Sequence, residues 1–215
     1  MNKRDLINYY QLAFINGVND AISVIMLYKV FVVLMTGNII YFIADMATNP
    51  QFTDMVRATL LINFVISGIV VHNLLVKKSV KFRIILSLGF VIIYCFAGRV
   101  ALTSGHLQED SLGFLIVANI ATIMSIITNN VFYRFHSTKI NLVAYTMNLL
   151  NLAHMFAEKR YFDLVLISTT IISFVLGLTI GAFLTILWDF YTILIIIPIL
   201  IYLYWTHNKP LTHIN

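Results

Sequence analysis

The chain has 215 residues, of which 60% are hydrophobic and 11% charged, with a mean hydropathy of +0.90. A soluble domain carries roughly 25% charged residues, so this chain has too few to clothe a water-facing surface and reads as an integral membrane protein. A single cysteine, Cys95, excludes a disulfide scaffold, and the excess of 14 Lys+Arg over 9 Asp+Glu is read as orientation in a bilayer rather than as nucleic-acid binding.

A spanning helix needs about 20 apolar residues. Hydrophobic runs lie at about 8–28, 30–47, 55–76, 82–103, 112–132, 140–157, 164–188 and 190–206. The first follows Met1-Asn2-Lys3-Arg4, contains polar residues, and has no small-x-small cleavage site after it, so it reads as an uncleaved first helix. Within it Asn16, Asn19, Asp20 and Ser23 are spaced i, i+3, i+4 and i+7 and share one face. An ionisable group in a bilayer needs a partner or a wet cavity, which makes Asp20 the leading functional candidate; the competing reading is a protonated carboxyl capping a helix break beside Gly17.

The second run, Val30 to Ala47, is short and is interrupted by Thr36-Gly37-Asn38, with Tyr41 and Asp45 following Asn38 at i+3 and i+7. Gly37 permits a sharp turn, and Thr36 and Asn38 can satisfy the backbone groups a break would free. A half-helix beginning there would point its N-terminus inward and offer amides to an anionic group or to water; the alternative is a close approach of continuous helices at the glycine. The fourth run carries Arg99 near one end, where snorkelling to the interface is expected and Asp189 is a conceivable partner. The fifth run ends in Asn129 and Asn130, and the short sixth, Ile140 to Ala157, is interrupted by Thr146-Met147-Asn148 after Tyr145. Gly177 and Gly181 form a small-residue pair suited to helix packing. Pro198 is expected to kink the last helix, and Tyr202, Tyr204 and Trp205 suit an interfacial belt.

Offset by 110 positions, residues 14–47 align with 124–157, so that Asn19 meets Asn129, Thr36 meets Thr146 and Asn38 meets Asn148; an offset of 109 then pairs Asp54 with Asp163 and Gly68 with Gly177. Polar positions coincide, where membrane composition supplies no free matches. If all eight runs crossed, the basic residues would divide almost evenly between the two sides. If the two short runs make no net crossing, Lys3, Arg4, Lys77, Lys78, Lys81, Arg83, Arg134, Lys139, Lys159, Arg160 and Lys209 share the cytoplasmic side, and only Lys29 and Arg57 face out. That bias selects six crossings with both termini cytoplasmic. Three crossings per half is an odd number, so the repeat is inverted. The expected fold is an all-α integral membrane domain over 1–215, with about six transmembrane helices. They form two inverted three-helix repeats, about 6–105 and 112–207, each with one additional short broken or re-entrant segment.

The run Ala13-Phe14-Ile15-Asn16-Gly17-Val18-Asn19-Asp20-Ala21, followed by Phe31 and Met35-Thr36-Gly37-Asn38, resembles the signature of the YoaK-like family of uncharacterised bacterial multi-pass membrane proteins. The resemblance covers the chain in length and segment order. Its specific motifs lie in the first 50 residues, and the second half departs from them, with Thr128-Asn129-Asn130 and Thr146-Met147-Asn148 where Gln-Asn-Ala and Thr-Gly are expected. It implies a bacterial cytoplasmic-membrane protein of about six crossings and supplies no substrate.

Interrupted segments in corresponding places of two halves mark transporters with discontinuous helices. The expected function is therefore a secondary transporter or facilitator of a small solute. Its binding candidates are Asn16, Asn19, Asp20, Thr36, Gly37, Asn38, Tyr41, Asn129, Asn130, Tyr145, Thr146 and Asn148. A channel-like conduit and a non-transporting assembly or stress protein are the alternatives. The histidines at 72, 106, 136, 154, 207 and 213 have no metal-ligand spacing, and no phosphate loop, zinc-protease motif or nucleophile elbow occurs. No enzyme activity, cofactor, metal or nucleic-acid partner is expected; the partners are the lipid bilayer, an unknown small solute and a second copy of the chain as a homo-oligomer.

Overall fold

A computed structural model describes residues 3–131 and 156–206, and the regular structure among them is all helical, joined by turns and short loops. The helices are α1 (Lys3–Met26), α2 (Met35–Thr48), α3 (Phe52–Leu75), α4 (Val80–Thr103), α5 (Leu112–Val131), α6 (Tyr161–Trp188) and α7 (Ile196–Thr206), the last preceded by a 3-10 segment, Asp189–Ile195. Four stretches are long and apolar enough to cross a membrane: α3, α4, α5, and Asp163–Thr206. That last stretch is interrupted at Asp189, whose φ is +50°. The sixth run, 140–157, falls almost wholly outside the described residues.

Polar side chains gather inside the bundle among an apolar core, and the long helices turn apolar side chains outward. Asn8, Asn16, Asn19, Asp20, Ser23, Asn38, Ser87, Thr122, Ser125 and Thr128 are buried, while Ile62, Ile66 and Ile69 of α3, Ile92 and Phe96 of α4, and Phe183, Ile186 and Leu187 of α6 are exposed. Apolar exposure on this scale is foreign to a water-soluble monomer and is what a hydrocarbon solvent selects.

α1 is the central helix and packs most extensively on α6. A Cβ on Gly17 would strike the Phe174 carbonyl and lie 2.7 Å from the Leu178 nitrogen, one on Gly177 would strike the Phe14 carbonyl, and one on Gly181 would meet Val18 and Ala21 at 3.0 Å. Gly177 and Gly181 thus let the two backbones touch, as small-residue pairs do between membrane helices, and Gly17 completes the contact. α1 runs unbroken through Gly17, so the helix break of the competing reading for Asp20 does not occur.

Polar bonds join the other helices. Asn63 of α3 donates to the Asn119 side chain of α5 at 2.8 Å, and the Ser87 and Thr128 hydroxyls link α4 to α5 at 2.7 Å. Arg99 pairs with Asp189 at 2.7 Å and lies over the Tyr191 ring. Its expected snorkelling is replaced by an ion pair at the α6 turn. At the other end of α4, Lys81 lies over Tyr204 of α7, so the chain from 189 to 206 runs antiparallel to α4. Seven 3-10 residues and eleven α-helical ones extend about 30 Å, enough to span the hydrocarbon core. Pro198 sits in the first turn of α7 rather than at a kink inside it; it has no N–H for the Leu194 carbonyl, and the chain upstream is accordingly 3-10.

Candidate functional site

The chain leaves α1 through a tight turn. Tyr28 and Lys29 have φ of +50° and +59°, a backbone conformation that costs a residue with a Cβ roughly 1–2 kcal/mol. The turn is held by the Lys29 N–H donating to the Val24 carbonyl at 3.1 Å and by the Tyr28 hydroxyl donating to the Leu107 carbonyl at 3.0 Å, with the Tyr28 ring edge-on to Phe114. Residues 30–34 then fold back along α1 without helical structure.

Asp20 organises this return. One carboxylate oxygen accepts the N–H of Val32 at 3.1 Å and of Val33 at 2.9 Å, and the other accepts that of Leu34 at 3.3 Å. Asp20 lies six residues before the end of α1, so the loop reaches about 9 Å back into the bundle. Asn38 completes the hold: its Oδ1 accepts the Phe31 N–H at 2.9 Å and its Nδ2 donates to the Phe31 carbonyl at 2.6 Å. A lone extended residue has no ladder to satisfy it, and here one carboxamide supplies both missing partners.

α2 therefore starts at Met35, inside the bundle. The break lies at 30–34, upstream of the expected Thr36-Gly37-Asn38, which forms the first turn of the helix. The reason is that the partners of the freed amides sit on α1, and these fix where the extended stretch must lie. Gly37 does not bend the chain; the Phe31 ring packs against it, and a Cβ there would come within 2.8 Å of that ring. The anion at this helix N-terminus is the chain's own Asp20, so the amides of Val32, Val33 and Leu34 are not open to an external one. Fourteen residues make α2 about 21 Å long. The chain enters and leaves this segment at the same end of the bundle: Tyr28 before it bonds to Leu107, and Thr53 after it bonds to Glu109, both within the α4–α5 connection.

Asn16 and Asn129 exchange two amide hydrogen bonds, Nδ2 to Oδ1 at 3.1 and 3.2 Å, across the α1–α5 contact. Asn129 also donates to the Ser125 carbonyl at 2.8 Å. Ser23 donates to the carbonyls of Asn19 and Asp20 in its own helix. Asn19, fully buried, has no partner for either its Nδ2 or its Oδ1. An unmade hydrogen bond of that kind costs about 1–3 kcal/mol. The Oδ1 of Asn130 is likewise unpartnered, while its backbone carbonyl accepts from Arg83 at 3.0 Å.

Of the expected site residues, Asn16, Asn19, Asp20, Asn38, Asn129 and Gly37 gather around α1 and the returning loop. Thr36 is exposed, and Tyr41 stacks on Phe31 under the Arg57 guanidinium, away from the α1–α5 contact. Tyr145, Thr146 and Asn148 lie outside the described residues.

A second polar cluster escapes the sequence reading. Arg57 bonds Asp45 of α2 at 2.6 Å and Asp54 of α3 at 2.7 Å, and Asp54 also accepts the Gln51 N–H at 2.8 Å in the capping box of α3. Arg57 and Asp54 are almost wholly buried. The i, i+3 spacing of Asp54 and Arg57 was the available signal; the third member comes from α2. Asn8 and Gln11 were also missed, although the helical period places both near the face of Asn19.

The sequence profile of a family described as "Protein of unknown function (DUF1275)" matches residues 9–206. No curated protein and no solved structure matches the chain.

Proposed function

The chain belongs to the DUF1275 family, which carries no assigned activity, and on its own geometry we propose that it is a secondary transporter or facilitator of a small solute, with a polar site between α1 and α5 beside a re-entrant α2. One observation carries this reading: a helix too short to span enters and leaves at one end of the bundle, and its entry is held by the buried carboxylate of Asp20. Irregular backbone at membrane depth is tolerated where it lines a cavity or is buried in protein, and transporters build their sites from such breaks.

An inverted repeat is supported by the spacing and the partnerships of the helices. α3 and α4 begin at residues 52 and 80, and α6 and the final 3-10 segment begin at 161 and 189, each 109 residues later. Exchanging the halves turns the α1–α6 contact into the α5–α3 contact, and both are present. Six crossings follow when neither α2 nor the sixth run makes one. The end bearing Lys77, Lys78, Lys81 and Arg83 is then cytoplasmic, and the end bearing Asp45, Asp54, Glu109 and Asp189 faces out. The resemblance to the YoaK-like family implies that the membrane is a bacterial cytoplasmic one.

The test is a solute screen in proteoliposomes of the full chain and of Asp20→Asn. The expected result is protein-dependent flux of a small solute that the substitution reduces. No flux of any charged or neutral solute above protein-free vesicles sinks the reading. Flux indifferent to the substitution removes Asp20 from the transport cycle and leaves an uncoupled facilitator.

A further inference from the structure

The buried groups left without partners form a pattern. Among the described residues, each buried charge has partners: Asp20 has three backbone amides, Arg57 has Asp45 and Asp54 although its Nε bonds to neither, and Arg83 has the carbonyls of Asn130 and Val76. On α1, the atoms without partners are neutral: Asn8 Nδ2, Gln11 Oε1, and both Nδ2 and Oδ1 of Asn19. At 100° per residue these three side chains lie within about 80° of one another around the helix, and they extend about 17 Å along it. This is a strip of carboxamides offering both donors and acceptors, on the helix at the centre of the bundle. Buried polar groups are nearly always hydrogen-bonded, and in a membrane interior such groups mark a substrate path. Three on one face of one helix call for a common partner.

We infer that the Asn8–Gln11–Asn19 face of α1 is the recognition surface for a neutral solute that both donates and accepts hydrogen bonds, of the amide, urea or polyol class, and not for an ion. An inorganic anion has no donor for Asn19 Oδ1 or Gln11 Oε1, and a metal cation has nothing to offer the amide hydrogens of Asn8 and Asn19. Neither would find an uncompensated countercharge on this face. A small amide or polyol satisfies both kinds of group, meeting a donor at Asn8, an acceptor at Gln11 and one of each at Asn19. The Asn16–Asn129 pair, closed on itself, flanks the face as a wall and is not a ligand. The inference rests on the transport reading above and names its substrate class.

The experiment uses the full chain in proteoliposomes. Stopped-flow light scattering follows urea, acetamide and glycerol, and parallel vesicles are assayed for potassium, chloride and acetate. The expected result is protein-dependent entry of at least one neutral probe and of none of the ions. Asn19→Leu should lower that entry about 10-fold, as loss of a hydrogen bond worth roughly 1.4 kcal/mol would, while leaving the melting temperature unchanged or raising it, because an unmade buried bond is removed. Entry of ions with no neutral flux overturns the substrate class and leaves transport standing. No flux of either kind overturns both readings. A neutral flux untouched by Asn19→Leu, or a lowered melting temperature in that variant, shows the side chain to be idle or structural and overturns the inference.

Discussion

Asp20 and Val33 are joined by a 2.9 Å hydrogen bond from the Val33 N–H to the carboxylate, thirteen residues apart in the chain. With the bonds from Val32 and Leu34, it fixes where the chain turns back and where α2 begins. A hydrogen bond to a charged acceptor contributes roughly 1.5–3 kcal/mol, and an orphaned buried amide costs about 1–3 kcal/mol. Asp20→Leu should therefore destabilise the solubilised protein by on the order of 3–6 kcal/mol. Asp20→Asn, which keeps one acceptor oxygen and loses the other, should cost less. Thermal unfolding in detergent checks the order; equal losses in the two variants would show that the amides are satisfied in some other way.

The sequence carries the signs of this arrangement only in part. Run boundaries are legible because an apolar run ends where polar punctuation begins, and α3, α4, α5 and α6 start within three residues of the expected positions. The interruption of the second run is legible from Thr36-Gly37-Asn38. Its true position is not, because the partners of Asp20 are the backbone amides of Val32, Val33 and Leu34, which leave no mark in side-chain identity. The same limit hides the partner of Gly17. Gly177 and Gly181 announce a packing face, but not which helix it meets. Arg99 and Asp189 are both visible as lone charges, and it is the bend at Asp189 that brings them together. The Arg57 cluster is missed because its pair with Asp45 joins two elements, α2 and α3, whose mutual orientation depends on the loop that Asp20 holds.

The chain enters and leaves the α2 segment at one end of the bundle, so residues flanking it should share one side of the membrane. In a Cys95→Ser background, single cysteines at Lys29, Asn49 and Gln108 should react with an impermeant thiol reagent added outside, and one at Ser79 should not. Crossing by α2 would place positions 29 and 49 on opposite sides. Reaction at only one of these two would overturn the re-entrant reading and, with it, the count of six crossings.

The α1–α6 contact leaves no room for a methyl group. Gly17→Ala and Gly177→Ala each place a Cβ against a backbone carbonyl, which cannot move without separating the helices. Each should lower stability by roughly 1–3 kcal/mol or more. Gly68→Ala in α3 meets nothing within 4 Å and should stabilise by about 0.5–1 kcal/mol, because alanine loses less backbone freedom than glycine on forming a helix. Melting temperatures of the three variants in one detergent test the contrast, and a Gly68→Ala loss as large as that of Gly17→Ala would remove the packing explanation.

Two arginine pairs of similar length should differ in strength because they differ in burial. Arg57 is 6% exposed and Asp54 1%, whereas Arg99 and Asp189 are 28% and 40% exposed. Removing one partner of a buried pair strands the other and costs about 3–5 kcal/mol, while an exposed pair contributes about 0.2–1 kcal/mol. Arg57→Gln should thus be strongly destabilising, and Arg99→Gln only slightly so. The double variant Arg57→Gln with Asp54→Asn should recover part of the loss, since the stranded carboxylate is gone, although the Asp45 contact and the capping of α3 remain weakened. Chemical or thermal unfolding of Arg57→Gln, Asp54→Asn, their double variant and Arg99→Gln measures the coupling. A double variant no more stable than Arg57→Gln would show that Asp54 is held by the Gln51 amide and the α3 N-terminus, independently of Arg57.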